Sequence, residues 1–119
     1  MERAIAITAE GHAAVARATV AGVSERDVQT QLEYAFFAAG GTGLSYSSIV
    51  GSGPNGAVLH WDKNSRVLQN GDLVVVDAAA EYGRYAASAY ASETALRAAR
   101  LSARCTARAY RMKFTPAQG

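Results

Sequence analysis

The sequence predicts an α+β fold, with two N-terminal helices followed by antiparallel strands and an alanine- and arginine-rich helix at the C-terminus. Three observations carry this. Apolar residues recur at helical spacing as far as Ala39, the period turns strand-like from Ser45 onward, and alanines and arginines dominate after Ser92. A chain of 119 residues can bury roughly two-thirds of its unfolded surface and sustain one core, so two complete domains are excluded.

Ile5, Thr8, His12, Val15 and Thr19 recur at intervals of three and four, and Gly22 follows as a stop, so residues 3 to 21 read as an amphipathic helix. Ser24 opens the second. Its hydroxyl can accept the third helical backbone donor, and Asp27 stands in the capping-box position. Val28, Leu32 and Phe36, with Ala35 and Ala39, make the stripe to be buried before Gly40-Gly41 ends the helix. The expected strands are 45 to 52, 56 to 61, 73 to 79 and 81 to 88. Turns are expected at Pro54-Asn55-Gly56 and Asn70-Gly71, where positive φ is needed.

The chemistry concentrates between Tyr46 and Tyr85. Leu73-Val74-Val75-Val76 reads as a strand buried on both faces, and Asp77 ends it. A carboxylate there would leave water at real cost unless a cation or several donors met it, which makes Asp77 a candidate metal ligand. His60 ends the preceding apolar run, Val58-Leu59. Taken alone, such a histidine is a hydrogen-bonded structural residue, because one ring nitrogen easily finds a carbonyl. His12, on the apolar face of the first helix, is read as structural. Gly51, Gly53 and Gly56 match a dinucleotide-binding pattern by letter only, since no lysine follows and a strand rather than a helix is expected after the last glycine. The glycines are better explained as a tight connection that lets the backbone approach a cleft.

Charge is segregated. Residues 1 to 92 carry six basic and nine acidic side chains, whereas residues 93 to 119 carry six basic and one acidic. Arg97, Arg100, Arg104, Arg108 and Arg111 would share one face of a helix starting near Ser92. Such a stripe is a solvated face, an attractor for phosphate backbones, or a partner-helix surface. No aromatic platform interleaves with the arginines, which argues against nucleic acid. Cys105 is the only cysteine, so neither an internal disulfide nor a cysteine zinc site is available, and it reads as a small hydrophobe. No apolar run approaches membrane-spanning length and Met1-Glu2-Arg3 opens no signal-like core, so a cytoplasmic location without membrane contact is expected.

Four motifs stand in register: Tyr46-Ser47 with Ile49-Val50-Gly51-Ser52-Gly53 and Asn55-Gly56; Val58-Leu59-His60-Trp61; Asn70-Gly71-Asp72-Leu73-Val74 with Asp77-Ala78; and Glu81-Tyr82 with Tyr85-Ala86. Together they resemble the Xaa-Pro aminopeptidase (aminopeptidase P) branch of the pita-bread metallopeptidases. The resemblance spans roughly Ile5 to Ala87, with an echo at Lys113-Phe114-Thr115-Pro116-Ala117-Gln118. It implies the N-terminal half of a pita-bread catalytic domain, residues 1 to 88, followed by a divergent helical tail, residues 89 to 119.

The resemblance further implies two divalent ions, manganese or else cobalt or zinc, acting on a peptide with proline at its second position. Asp77 matches a metal ligand. His60 matches the histidine that lines the cleft and contacts the scissile-bond region. Asp72 and Glu81 match no ligand. Ser88 holds the place of the family's second aspartate, and the later histidine and two glutamates find no counterpart before Gly119. The expectation is therefore a truncated or degenerate homologue without hydrolytic activity, self-associated or loosely folded because Ile49, Val58, Val74 and Val76 would lie on a sheet face that a second half would cover. The alternatives are a peptide- or protein-binding module, or a nucleic-acid binder acting through the arginines.

Overall fold

The structure, a computed structural model, describes residues 1–94 and 113–114. Helix α1, Glu2–Ala18, and helix α2, Glu25–Ala38, pack against each other and against one face of an antiparallel sheet. α1 buries Ala4, Ile7, Thr8, Gly11, His12 and Val15. That stripe lies slightly rotated from the expected one, and Ile5 is left 37% exposed. At Gly11 a Cβ would stand 2.1 Å from Phe36 Cε1, so the missing side chain is what lets the two helices approach. α2 follows its sequence closely. Ser24 and Asp27 form the reciprocal capping box, Val28, Leu32 and Phe36 are buried, and Gly40 leaves the helix with φ +94°.

The main sheet runs β2-β3-β6-β7, all antiparallel: β2 Ile49–Ser52, β3 Leu73–Asp77, β6 Ala89–Thr94 and β7 Lys113–Phe114. A smaller sheet joins β1 Gly43–Leu44, β4 Ala80–Tyr82 and β5 Tyr85–Ala86. In the register of β2 with β3, Val50 faces Val76 and Ser52 faces Val74, and all four are buried beneath the helices. Val50, Val74 and Val76 join Ile7, Val28, Leu32, Phe36 and Leu68 in the principal core. Pairs Ile49–Asp77 and Gly51–Val75 occupy the opposite face.

Several expectations are corrected. β3 is not buried on both faces: Leu73 is 55% exposed, Val75 and Asp77 are half-buried, and only Val74 and Val76 are sealed. Asp77 therefore sits on the open side of the sheet. Nor do Val74 and Val76 add to an exposed apolar surface. The expected strand 56 to 61 is absent. Gly53–Ala57 is a 3-10 turn and the chain then runs irregularly to Asn64, with His60 at φ +53° and Asn64 at φ +47°. The β propensity of Val58-Leu59 finds no ladder to join, because the outward donors of β2 are already taken. Val50 N donates to Asn64 Oδ1 and Ser52 N to Glu25 Oε1, two side chains that close an otherwise open sheet edge.

The strand expected over 81 to 88 divides at Gly83 and Arg84, both at positive φ, into β4 and β5. A helix expected from near Ser92 is also corrected at its start. β6 pairs with the whole of β3, Leu73 opposite Thr94 through Asp77 opposite Tyr90, so backbone pairing crosses residue 88 and continues to Thr94. The arginine stripe and Cys105 lie outside the described residues. No helix among the described residues is long and apolar enough to cross a membrane.

Candidate functional site

On the open face of the sheet the turn Gly53–Ala57 folds back over Gly51 and Val75. The backbone oxygen of Asn55 lies 2.8 Å from where a Gly51 Cβ would be, and a Cβ on Gly56 would lie 3.3 Å from Val75 Cγ2. At Gly51 only a glycine permits this approach, and at Gly56 a side chain would make the neighbours give by a few tenths of an ångström. The turn thereby raises one wall of a cavity of about 240 Å³, lined by Ile49, Val75 and Asp77 from the sheet and by residues 56–60 of the turn and its continuation. His60 and Asp77, seventeen residues apart in sequence, line this same cavity. His60 is exposed at the rim and Asp77 half-buried at the end of β3. Leu59, beside His60, is 85% exposed and Val58 50%.

Asp77 is held from below the rim by Tyr46, whose hydroxyl donates to Oδ1 at 2.5 Å. That bond fixes the carboxylate rotamer, and a charged acceptor makes it a strong one. Tyr46 belongs to the first of the four motifs, but its spacing alone gives no hint that it reaches Asp77. His12 is structural, as its position on the helix suggests. Nε2 donates to the carbonyl oxygen of Ala78 at 2.9 Å, and the ring is buried. Burial lowers the His12 pKa, against the smaller opposing pulls of the Ala78 carbonyl and the Asp77 charge.

The residue that sequence reasoning missed is Glu25. It opens α2, is wholly buried, and accepts five hydrogen bonds, from Ser52 N, Ser52 Oγ, Asn55 Nδ2, Trp61 Nε1 and Arg66 N. Burial pushes its pKa up, yet the bonds from Ser52, Trp61 and Asn55 outweigh that and hold it below the ordinary carboxylate value. A buried charge is tolerated only with such satisfaction. A glutamate directly after a capping serine reads as a dipole-friendly first-turn acid, so nothing in the pattern separates it from a solvated one.

Asp72 completes the base of the loop by pairing with Arg66 and accepting the Gln69 backbone N–H at 2.8 Å, which caps that turn. The Arg66 bond, helped by Gln69, lowers its pKa. Glu81 is half-buried in β4, opposite Gly43 and away from the cavity lining. Ser88 is exposed between β5 and β6.

Among the described residues no group of three or more histidine, cysteine, aspartate or glutamate side chains could hold a metal ion. Asp77 is the one carboxylate in the cavity lining, and one of its oxygens already accepts from Tyr46. Hard dications take six or more oxygen ligands, several of them usually carboxylates when two ions share a site. The described residues thus do not by themselves fit a two-metal centre.

The sequence profile of metallopeptidase family M24 matches residues 1–92. The Xaa-Pro aminopeptidase of Escherichia coli strain K12 is 37% identical over 86 residues, covering 72% of this chain and 20% of that protein. The human Xaa-Pro dipeptidase is 37% identical over 81 residues, covering 64% of this chain and 16% of that one. Among solved structures, Pseudomonas aeruginosa aminopeptidase PepP superposes with a TM-score of 0.78 at 30% identity, over 81% of this chain and 22% of its own. The chain therefore spans about one fifth of the length of these relatives, and the profile match over residues 1–92 contains both helices and the His60–Asp77 cavity. By the extent of the profile match and the shared fold, the chain belongs to metallopeptidase family M24.

Proposed function

We propose that this chain carries the His60 and Asp77 share of a Xaa-Pro peptidase active site, and that its cavity receives the N-terminal end of a peptide with proline at the second position. The observation that supports this most is the meeting of His60 and Asp77 on one cavity in a chain similar to Xaa-Pro aminopeptidases and dipeptidases. In this reading His60 is the catalytic residue. Its imidazole, at the exposed rim, donates a hydrogen bond to the carbonyl oxygen as negative charge develops there. Ile49, Val58 and Val75 give the peptide an apolar wall. Asp77, oriented by Tyr46, would supply one carboxylate to a divalent metal, manganese or else cobalt or zinc, whose remaining ligands these residues do not provide.

The same reading makes the chain, on its own, a peptide-binding but non-hydrolysing member of the family. Ser88 stands where a second carboxylate is expected, and a hydroxyl is a far weaker ligand for a hard dication. Incubation with an Xaa-Pro peptide and added manganese, cobalt or zinc should release no N-terminal residue. Manganese-dependent release that Asp77→Ala abolishes would contradict the inactivity and establish Asp77 as a working ligand.

A further inference from the structure

We infer that Glu25 is a positioning residue that sets the geometry of His60, acting through Trp61 from the far side of the loop. The inference deepens the reading of His60 as an active-site residue and rests on it. Residues 53–66 leave β2 and return to the helices, and the two oxygens of Glu25 divide between the legs of that excursion. Oε1 accepts from Ser52 N and Oγ, both at 2.7 Å, and from Asn55 Nδ2 at 3.0 Å, on the outgoing leg. Oε2 accepts from Trp61 Nε1 at 2.9 Å and Arg66 N at 3.1 Å, on the returning leg. One buried carboxylate therefore fixes how far apart the two legs stand.

His60 lies between them, directly before Trp61, with φ at +53°. A non-glycine residue persists in that conformation only where its surroundings over-determine it. His60 itself is exposed and Leu59 almost fully so, which leaves the anchored Trp61 as the adjacent constraint. Arg26 adds a second hold on the same leg by donating from Nη2 to the Lys63 carbonyl at 2.9 Å, but this bond is exposed. The buried holds are Glu25 and, three residues past Trp61, Asn64, whose side chain accepts from Val50 N at 3.0 Å and donates to the Ser48 carbonyl at 2.9 Å; of the two, Glu25 is the one bonded to the residue next to His60. A purely structural role for this carboxylate would need the returning leg fixed somewhere; it would not need the bond to fall on the residue next to His60.

Glu25→Gln separates the two roles. The amide oxygen can replace Oε1, while the amide nitrogen then faces the indole and Arg66 N–H donors and can accept from neither. In the full chain as it stands, hydrogen exchange of the Trp61 indole N–H is expected to speed up about tenfold or more. The scalar couplings of His60 should leave left-handed values, its ¹⁵N relaxation should become that of a loop tip, and Val74 and Val76 amides should stay unmoved. Should Glu25→Gln fail to fold, Trp61→Phe leaves Glu25 in place and removes the indole donor, together with part of the ring beside Lys63, and is expected to give the same loss of His60 couplings and order. His60 couplings and relaxation that remain as in the parent, in either folded variant, would overturn the inference whether or not the melting temperature falls. These readouts need no peptide, so their failure is distinct from a failure of the chain to bind one.

Discussion

At the scale of single residues, two buried ionisable side chains, His12 and Glu25, couple the fold to pH. His12 loses proton affinity on folding because burial disfavours its cation. The unfolded chain binds that proton with an ordinary pKa near 6.5, so below that value the unfolded state takes up more protons and the fold weakens. Glu25 works in a lower window. Its folded pKa lies below the ordinary value of 4.5, so its stabilising effect is present above that pH and is lost as pH falls through the folded value. Melting temperature should therefore decline in two stages on acidification, the first beginning near pH 6.5. His12→Gln, which keeps a donor for the Ala78 carbonyl, should flatten the first stage alone. A decline that starts only near pH 4.5 in the parent would remove His12 from this account.

Tyr46 offers a second check at this scale. Tyr46→Phe deletes a hydrogen bond to a carboxylate and should cost about 1.5–3 kcal/mol in chemical denaturation. Tyr46 and Glu25 also mark what the sequence could not reveal. His60 and Asp77, which line one cavity, could be singled out because each ends an apolar run inside a recognisable motif. Tyr46 and Glu25 act through contacts 27 to 41 positions away, and no local pattern encodes those partners.

At the scale of elements, the helices were readable because capping and apolar period are local properties. Ser24, Asp27, Val28, Leu32 and Phe36 all do what their spacing predicts. The strands were less so, since a strand exists only where a partner accepts it. Val58-Leu59 has strand-like composition and no partner, while Ala89–Thr94 has the composition of a loop or helix and pairs along the whole of β3. A chain ending at Tyr90 would remove the partners of Leu73, Val74, Val75 and Val76 and should melt well below the full chain. An unchanged transition would show that this pairing contributes little.

Gly11 makes a sharper test of helix packing. An alanine there should gain up to ~1 kcal/mol in helix propensity, but the clash with Phe36 should cost more, about 1–3 kcal/mol net of relaxation. Gly11→Ala is therefore expected to destabilise, and Phe36→Leu in the same chain to recover part of the loss by making room. If Gly11→Ala is neutral or stabilising, the close α1–α2 approach is not as the structure has it.

At the scale of the whole molecule, the layering explains where function can reside. Helices seal one face of the main sheet, Glu25 and Asn64 close the β2 edge, and the other face keeps Ile49, Val75 and Asp77 accessible beside Val58 and Leu59. An apolar face of this kind favours association. We expect weak, concentration-dependent self-association that Leu59→Ser reduces, measured by light scattering. A strict monomer at high concentration would restrict this face to smaller ligands.

The central claim is that the cavity between His60 and Asp77 recognises a peptide by its second-position proline. Amide and imidazole NMR of the labelled chain, titrated with Ala-Pro-Ala and with Ala-Ala-Ala, tests it directly. The account predicts saturable shifts confined to residues 56–60, Ile49, Val75 and Asp77, stronger for the proline peptide and lost in His60→Ala. Shifts located elsewhere, or equal for the two peptides, would contradict it.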